Sequence, residues 1–312
     1  MLNLKRFERR LSHRRDKDSL FRQGIVDSTG ETYAGKLLAL DVTEANRIYF
    51  GSEFCEKRIP GKKELKEVLR FCDNNNLGFT LLTPLVTNAG MNSVRRLLDV
   101  LAAKRTTAEI VVNDPGVFHV VRRDRGEFEI VWGRLMSHLK TMPRFAREWP
   151  LNFAAKADEE RQTGALRLNA EQIYALRNSS LSVGLFQKFI RKEGVRRLEF
   201  DPLPQGMSAP AKEGSFRLSL HYPWVYITSS RICEMGAMGL DRDEKFTPGG
   251  ECGFECRRYI AQWDLAAPRA SDRIFNVGNT VFMICGLSRE GLVKYAASCR
   301  IDRVVFSFLP PF

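Results

Sequence analysis

Residues 78–116 read GFTLLTPLVTNAGMNSVRRLLDVLAAKRTTAEIVVNDPG, and the order of patterns in this stretch decides the fold. Gly78 to Val86 is a short apolar run with the length of a buried strand. Asn92 to Ala103 has helical period. Val94, Leu97, Leu98 and Leu101 share one stripe, while Arg95, Arg96 and Asp99 fall elsewhere. Glu109 to Val112 is a second strand, and it stops at the turn signal Asn113-Asp114-Pro115-Gly116. A strand, a helix and a second strand in succession form a βαβ unit, whose two strands run parallel.

The alternation extends in both directions. Upstream, Lys36 to Val42 and Arg47 to Gly51 read as strands. Lys62 to Cys72 reads as a helix, with Leu65, Val68, Leu69 and Cys72 at i, i+3, i+4 and i+7. Downstream come a helix at Leu181 to Glu193 and a strand at Arg197 to Asp201. Two strands follow at Phe216 to His221 and Trp224 to Thr228, parted by Pro223. A helix at Leu287 to Ser298 and a strand at Ile301 to Phe308 close the series. Residues 134–165 are less regular and basic, as an insertion or long loop would be. Residues 234–258 are rich in Gly and Cys with little periodicity. No internal repeat is visible.

Such alternation predicts a TIM-like α/β barrel, distorted or incomplete, over residues 36–312, behind a basic leader at 1–35. A doubly wound open sheet is the structural alternative. In a barrel the functional groups lie at the C-terminal ends of strands. Those ends carry Glu53, Cys55, Asn88, Asn113, Asp114, Asp201, Ser229, Ser230 and Asn276.

The chain has 312 residues, with 49 Lys plus Arg against 37 Asp plus Glu, a formal charge of +12. The excess favours acidic partners: RNA, an anionic membrane face or a multiply charged small molecule. No apolar run reaches the ~20 residues of a membrane span. The N-terminus lacks the apolar stretch of a secretory signal, so a cytoplasmic location is expected. In that compartment seven cysteines do not read as a disulfide framework.

The cysteines sort into two groups. Cys72, Cys285 and Cys299 fall in apolar or helical patterns and read as packed core thiols. Cys55, Cys233, Cys252 and Cys256 fall in polar or Gly-rich loops, outside any periodic apolar face. Four such thiols could complete the shell of a zinc ion or of an iron–sulfur cluster. Only one pair is closely spaced, Cys252 and Cys256, and spacing also leaves open that these are incidental loop cysteines. The four histidines, His13, His119, His138 and His221, form no ligand pattern and read as surface or core residues. Neither a P-loop nor a Gly-x-Ser-x-Gly elbow is present.

At these cysteines the chain resembles the peptidase U-32 family of barrel proteins, over about residues 36–300. The resemblance is carried by Tyr49 to Arg58, by Ile110 to Gly116, by Ser229-Ser230-Arg231-Ile232-Cys233 and by Ile274 to Asn279. It is closest to the branch that works in oxygen-independent ubiquinone hydroxylation. That branch has an early cysteine before a Lys-Arg pair, a late cysteine and a Cys-x3-Cys pair. The loop between Cys233 and Cys252 is longer here, and the leader and residues 134–165 have no counterpart.

The resemblance implies a 4Fe–4S cluster on Cys55, Cys233, Cys252 and Cys256, with zinc as the alternative. It implies hydroxylation of a quinone-precursor-like ring by a prephenate-like oxygen donor, either alone or as half of a heterodimer with a related chain. A homo-oligomer, a non-catalytic cluster-bearing partner and an RNA-base hydroxylase are the other readings. The peptidase branches carry a denser late cysteine motif that is missing here. A dianionic donor needs cationic clamps. Arg58 and Arg231, beside the proposed ligands, are the candidates, with Asn113 and Asp114 at the end of their strand.

Overall fold

The fold is given by a computed structural model that describes residues 45–104, 107–137, 139–141, 161–163, 166–208, 216–241, 243–245, 252–264 and 273–307. The leader, the expected strand at Lys36 to Val42 and most of residues 142–165 lie outside them.

Seven parallel strands form the central sheet: β1 (Arg47–Gly51), β2 (Gly78–Leu82), β3 (Glu109–Val112), β4 (Glu129–Trp132), β7 (Val195–Phe200), β8 (Arg217–Tyr222) and β13 (Arg303–Phe306). They pair in the order β1-β2-β3-β4-β7-β8-β13. The result is a TIM-like (β/α) barrel with an unsealed seam: among the described residues, β13 and β1 are the two ends of the sheet and do not pair. Between β4 and β7 lies a small hairpin of β5 (Arg161–Thr163) and β6 (Leu166–Leu168).

Helices α1 (Lys62–Asn74), α2 (Asn88–Ala102), α3 (Pro115–Asp124), α4 (Arg134–Ser137), α5 (Ala170–Arg177), α6 (Gly184–Lys192) and α7 (Arg289–Ser298) accompany the strands. The stripe read from the sequence is the buried one: Val94, Leu97, Leu98 and Leu101 of α2 are all in the core. They pack with Phe79 and Leu81 of β2, Ile110 and Val112 of β3, and Leu198 and Phe200 of β7.

The alternate residues on these strands face the barrel interior, as the two-residue period of a strand requires. Barrel interiors are usually filled by branched aliphatic side chains. Here Tyr49, Thr80, Glu109, Arg197, Glu199, Ser219, His221 and Arg303 stand at those positions. They bond to one another, through Thr80 to Glu109, Arg197 to Ser219 and Arg303 to both Tyr49 and Glu109.

The turn expected at Asn113 to Gly116 is the start of α3. Asp114 accepts hydrogen bonds from the Gly116 and Val117 amides, and Pro115 takes the first helical turn, where no amide is needed. A larger departure from simple alternation follows β8. The cis Tyr222–Pro223 peptide leads directly into β9 (Trp224–Ser229). With β10 (Ala261–Asp264), β11 (Arg273–Val277) and β12 (Thr280–Ile284) it makes an antiparallel sheet in the order β10-β11-β12-β9. This sheet begins where β8 ends, so it stands at the C-terminal face of the barrel. Its own core is Trp224, Phe275, Val277 and Phe282, joined by Phe54 from the loop after β1. Among the described residues no helix is long and apolar enough to cross a membrane.

Candidate metal centre

Gly51 ends β1 at φ +133, where a Cβ would lie 2.3 Å from the Leu82 carbonyl oxygen. Only glycine fits such a position without strain. The chain then turns into Ser52, Glu53, Phe54 and Cys55. Ser52 Oγ donates to the Cys55 carbonyl at 2.7 Å and so fixes the loop. A single 3₁₀ turn, Glu56–Arg58, follows. The Glu56 carboxylate accepts from the Thr87 amide at 2.6 Å, tying this loop to the one after β2.

Cys233 lies just beyond β9. The Gly236 amide donates to its Sγ at 3.3 Å. Cys252 and Cys256 precede β10, and Cys256 lies within the 3₁₀ turn Glu255–Arg257. Asn279, in the turn between β11 and β12, joins the first two loops. Its amide donates to the Phe54 carbonyl at 2.9 Å and to the Ser230 carbonyl at 2.6 Å.

The structure brings Cys55, Cys233, Cys252 and Cys256 to the wall of one cavity of about 220 Å³. All four are partly exposed, whereas Cys72, Cys285 and Cys299 are buried in the core. Burial pushes the Cys55 thiol up to about 11, and the neighbouring sulfurs of Cys233, Cys256 and Cys252 add to the shift. Cys233 is raised in the same way, by burial and then by the sulfurs of Cys256 and Cys252. A cation among the sulfurs would reverse that preference and release the thiol protons.

The spacing of the sulfurs bears on what could bind. A tetrahedral zinc with Zn–S bonds of about 2.3 Å places its sulfurs about 3.8 Å apart. Among the described residues, the one group of three His, Cys, Asp or Glu donors lying within 4.8 Å of one another is Glu53, Glu199 and His221. No three of the four sulfurs lie within that mutual distance. A zinc ion would draw the thiolates together and a cubane cluster takes them farther apart, so the cavity wall admits either.

Arg58 and Arg231 also line the cavity. Arg58 Nη1 lies 3.9 Å from Cys256 Sγ and donates to it. Lys57 and Lys245 add two more cations to the wall. Asn113 and Asp114 are placed elsewhere. Asn113 is fully buried, donating to the Thr83 carbonyl and accepting from the Leu135 amide. Asp114 caps α3 and accepts from the Val86 amide at 3.3 Å, which holds one wall of the cavity from behind.

Beneath the Cys55 loop lies a buried ionic group whose keystone was hidden in the sequence. Arg134, from the irregular basic stretch, is 3% exposed. It forks both oxygens of Glu53 at 2.5 and 2.8 Å, and reaches Asp201 at 2.6 Å and the Trp224 carbonyl at 3.2 Å. Its guanidinium also lies 5.3 Å from the centre of the Phe54 ring. Burial opposes the Arg134 charge, but Asp201 and Glu53 outweigh it and keep the guanidinium firmly protonated. Burial pushes Asp201 up to about 7 despite Arg134. One layer deeper, burial likewise pushes Glu199 up to about 7 and His221 down to about 3.

Comparison with family models, with curated proteins and with solved structures finds no match to this chain.

Proposed function

We propose that Cys55, Cys233, Cys252 and Cys256 hold a 4Fe–4S cluster, and that the protein works in oxygen-independent hydroxylation as a U-32-type enzyme or as one subunit of it. The observation that carries this reading is the convergence of four loop thiols on one cavity. They come from segments up to 201 residues apart (256 − 55). No packing requirement gathers polar-loop cysteines in this way, whereas a shared ligand does.

The bound cluster would supply electron transfer or polarisation of an oxygen donor. This chain's own residues do the rest. The Gly236 amide and Arg58 hydrogen-bond to ligand sulfurs, and such bonds raise the reduction potential of a cluster. Arg58, Arg231, Lys57 and Lys245 give the cavity the positive wall that a dicarboxylate donor of the prephenate kind requires. Leu85, Val86 and Ile232 give it an apolar side against which a ring substrate can lie.

Single cysteine substitutions test the ligand set. Cys252→Ser and Cys256→Ser are expected to abolish visible absorbance and protein-bound iron in anaerobically purified protein, and Cys72→Ser to leave both unchanged. Iron retained at the wild-type level in both loop variants would overturn the assignment. The reaction is tested by supplying the intact holo-protein, with its partner chain, with an oxygen-labelled dicarboxylate donor and a quinone-precursor ring without O2. Labelled hydroxylated product is the expected result; product carrying only water oxygen contradicts it.

A further inference from the structure

We propose that Glu53, Glu199 and His221 form a second metal site, inside the barrel, for an oxygen-preferring divalent cation of the manganese(II) kind. One donor atom from each of the three lies within 4.8 Å of the other two, and all three side chains are at most 3% exposed. Donors about 2.1 Å from a common ion stand no more than about 4.2 Å apart, so small side-chain adjustments close the site on an ion. Two carboxylates and one imidazole make a predominantly hard donor set, which suits manganese(II) better than the sulfur-loving metals of the cysteine cavity.

Unused bonding capacity points to a missing ligand. Glu199 Oε2 meets His221 Nε2 at 3.0 Å, but Glu199 Oε1 and His221 Nδ1 are buried and have no hydrogen-bond partner. The Tyr49 hydroxyl lies near enough to Glu199 to favour its ionisation, without making a bond of normal geometry to Oε1. Native interiors rarely leave such atoms unpaired. Around these atoms Glu53 and Asp201 share Arg134, and Glu199 feels both Arg134 and, from the layer below, Arg303. In that lower layer Arg303 and Arg47 share Glu109, and Arg197 is held by Asp302 and Ser219.

Arg134 does not block the site. It takes one lone pair from each Glu53 oxygen, and each oxygen keeps a second. A ligand carboxylate held by an outer hydrogen-bond donor is the usual arrangement at a metal centre. Glu53 is also two residues from Cys55, so one loop would carry a ligand of each centre. The inference does not depend on what the cysteines bind.

Anaerobically purified full-length protein is dialysed against EDTA, loaded with manganese(II), dialysed again and assayed for bound manganese. One manganese per chain is expected. Glu199→Gln and His221→Gln are expected to weaken its retention at least about tenfold. Cys252→Ser should lose iron and keep manganese, which separates this site from the cysteine centre. Should the barrel variants fail to fold, the wild type suffices: its bound manganese should show spectroscopic coupling to one imidazole nitrogen. No retained manganese in folded wild-type protein, or retained manganese without nitrogen coupling, overturns the proposal.

Discussion

Arg134 holds the Cys55 loop onto the barrel through Glu53, Asp201 and the Trp224 carbonyl. A thiol in a Gly-rich or charged loop breaks the usual link between cysteine and apolar packing, so Cys55, Cys233, Cys252 and Cys256 stand out without a structure. Arginine in an irregular basic stretch looks like any solvated surface residue. The burial of Arg134 depends on Glu53 and Asp201, 81 and 67 residues away in the chain, and no local pattern announces such a meeting. Asn279 was similarly opaque, because its role lies in joining two loops rather than in its own neighbourhood. Removing one member of a buried ion pair leaves its partners charged and unpaired, which costs about 3–5 kcal/mol. Arg134→Met is therefore expected to lower unfolding stability by that order in denaturant titrations. A loss below about 1 kcal/mol would show that Glu53 and Asp201 do not depend on it.

The elements were easiest to read where one physical signal dominated. The apolar stripe of α2 is buried as its period implies, and so is the apolar run Ile110 to Val112 of β3. At Asn113 to Gly116 the same residues serve a turn or a helix start, and the capping bonds of Asp114 decide for the helix. The β11–β12 hairpin turns on Gly278-Asn279 and is a local signal, whereas the sheet as a whole is not legible because β12 takes its other register from β9, far back in the chain. Its strands are as apolar as those of the barrel, so composition does not separate them. Gly51 makes the link between element and site testable. Gly51→Ala would push a methyl group into the Leu82 carbonyl at a φ that alanine resists, a cost of about 1–3 kcal/mol. The expected outcome is a lower thermal midpoint together with reduced bound iron, since the Cys55 loop begins there. Unchanged iron at wild-type stability would detach β1 from the positioning of Cys55.

For the whole molecule, the open seam and the polar interior belong together. Arg303 on β13 bonds to Tyr49 on β1 and forks Glu109 on β3, so side chains bridge the gap that backbone pairing leaves. Burial works against the Glu109 charge, but the hydrogen bonds and charge of Arg303, with Arg47, prevail and hold the carboxyl below its usual 4.5. Below pH 4.5 the unfolded chain then binds the proton more readily than the folded one. The stabilisation from Glu109 is thus present above that pH and is lost as pH falls through the folded value. In denaturant titrations the wild type should lose stability as pH is lowered from 5 towards 3, and Glu109→Gln should lose less. An identical pH dependence in the two proteins would remove Glu109 from the account of the seam.

The barrel itself places β1 and the antiparallel sheet so that four distant thiols share one cavity, and the account turns on what they hold. The most direct measurement is the metal and sulfide content of the full-length protein purified without oxygen. A brown protein with about four iron and four sulfide per chain is predicted. A colourless protein carrying one zinc per chain and no sulfide would contradict it.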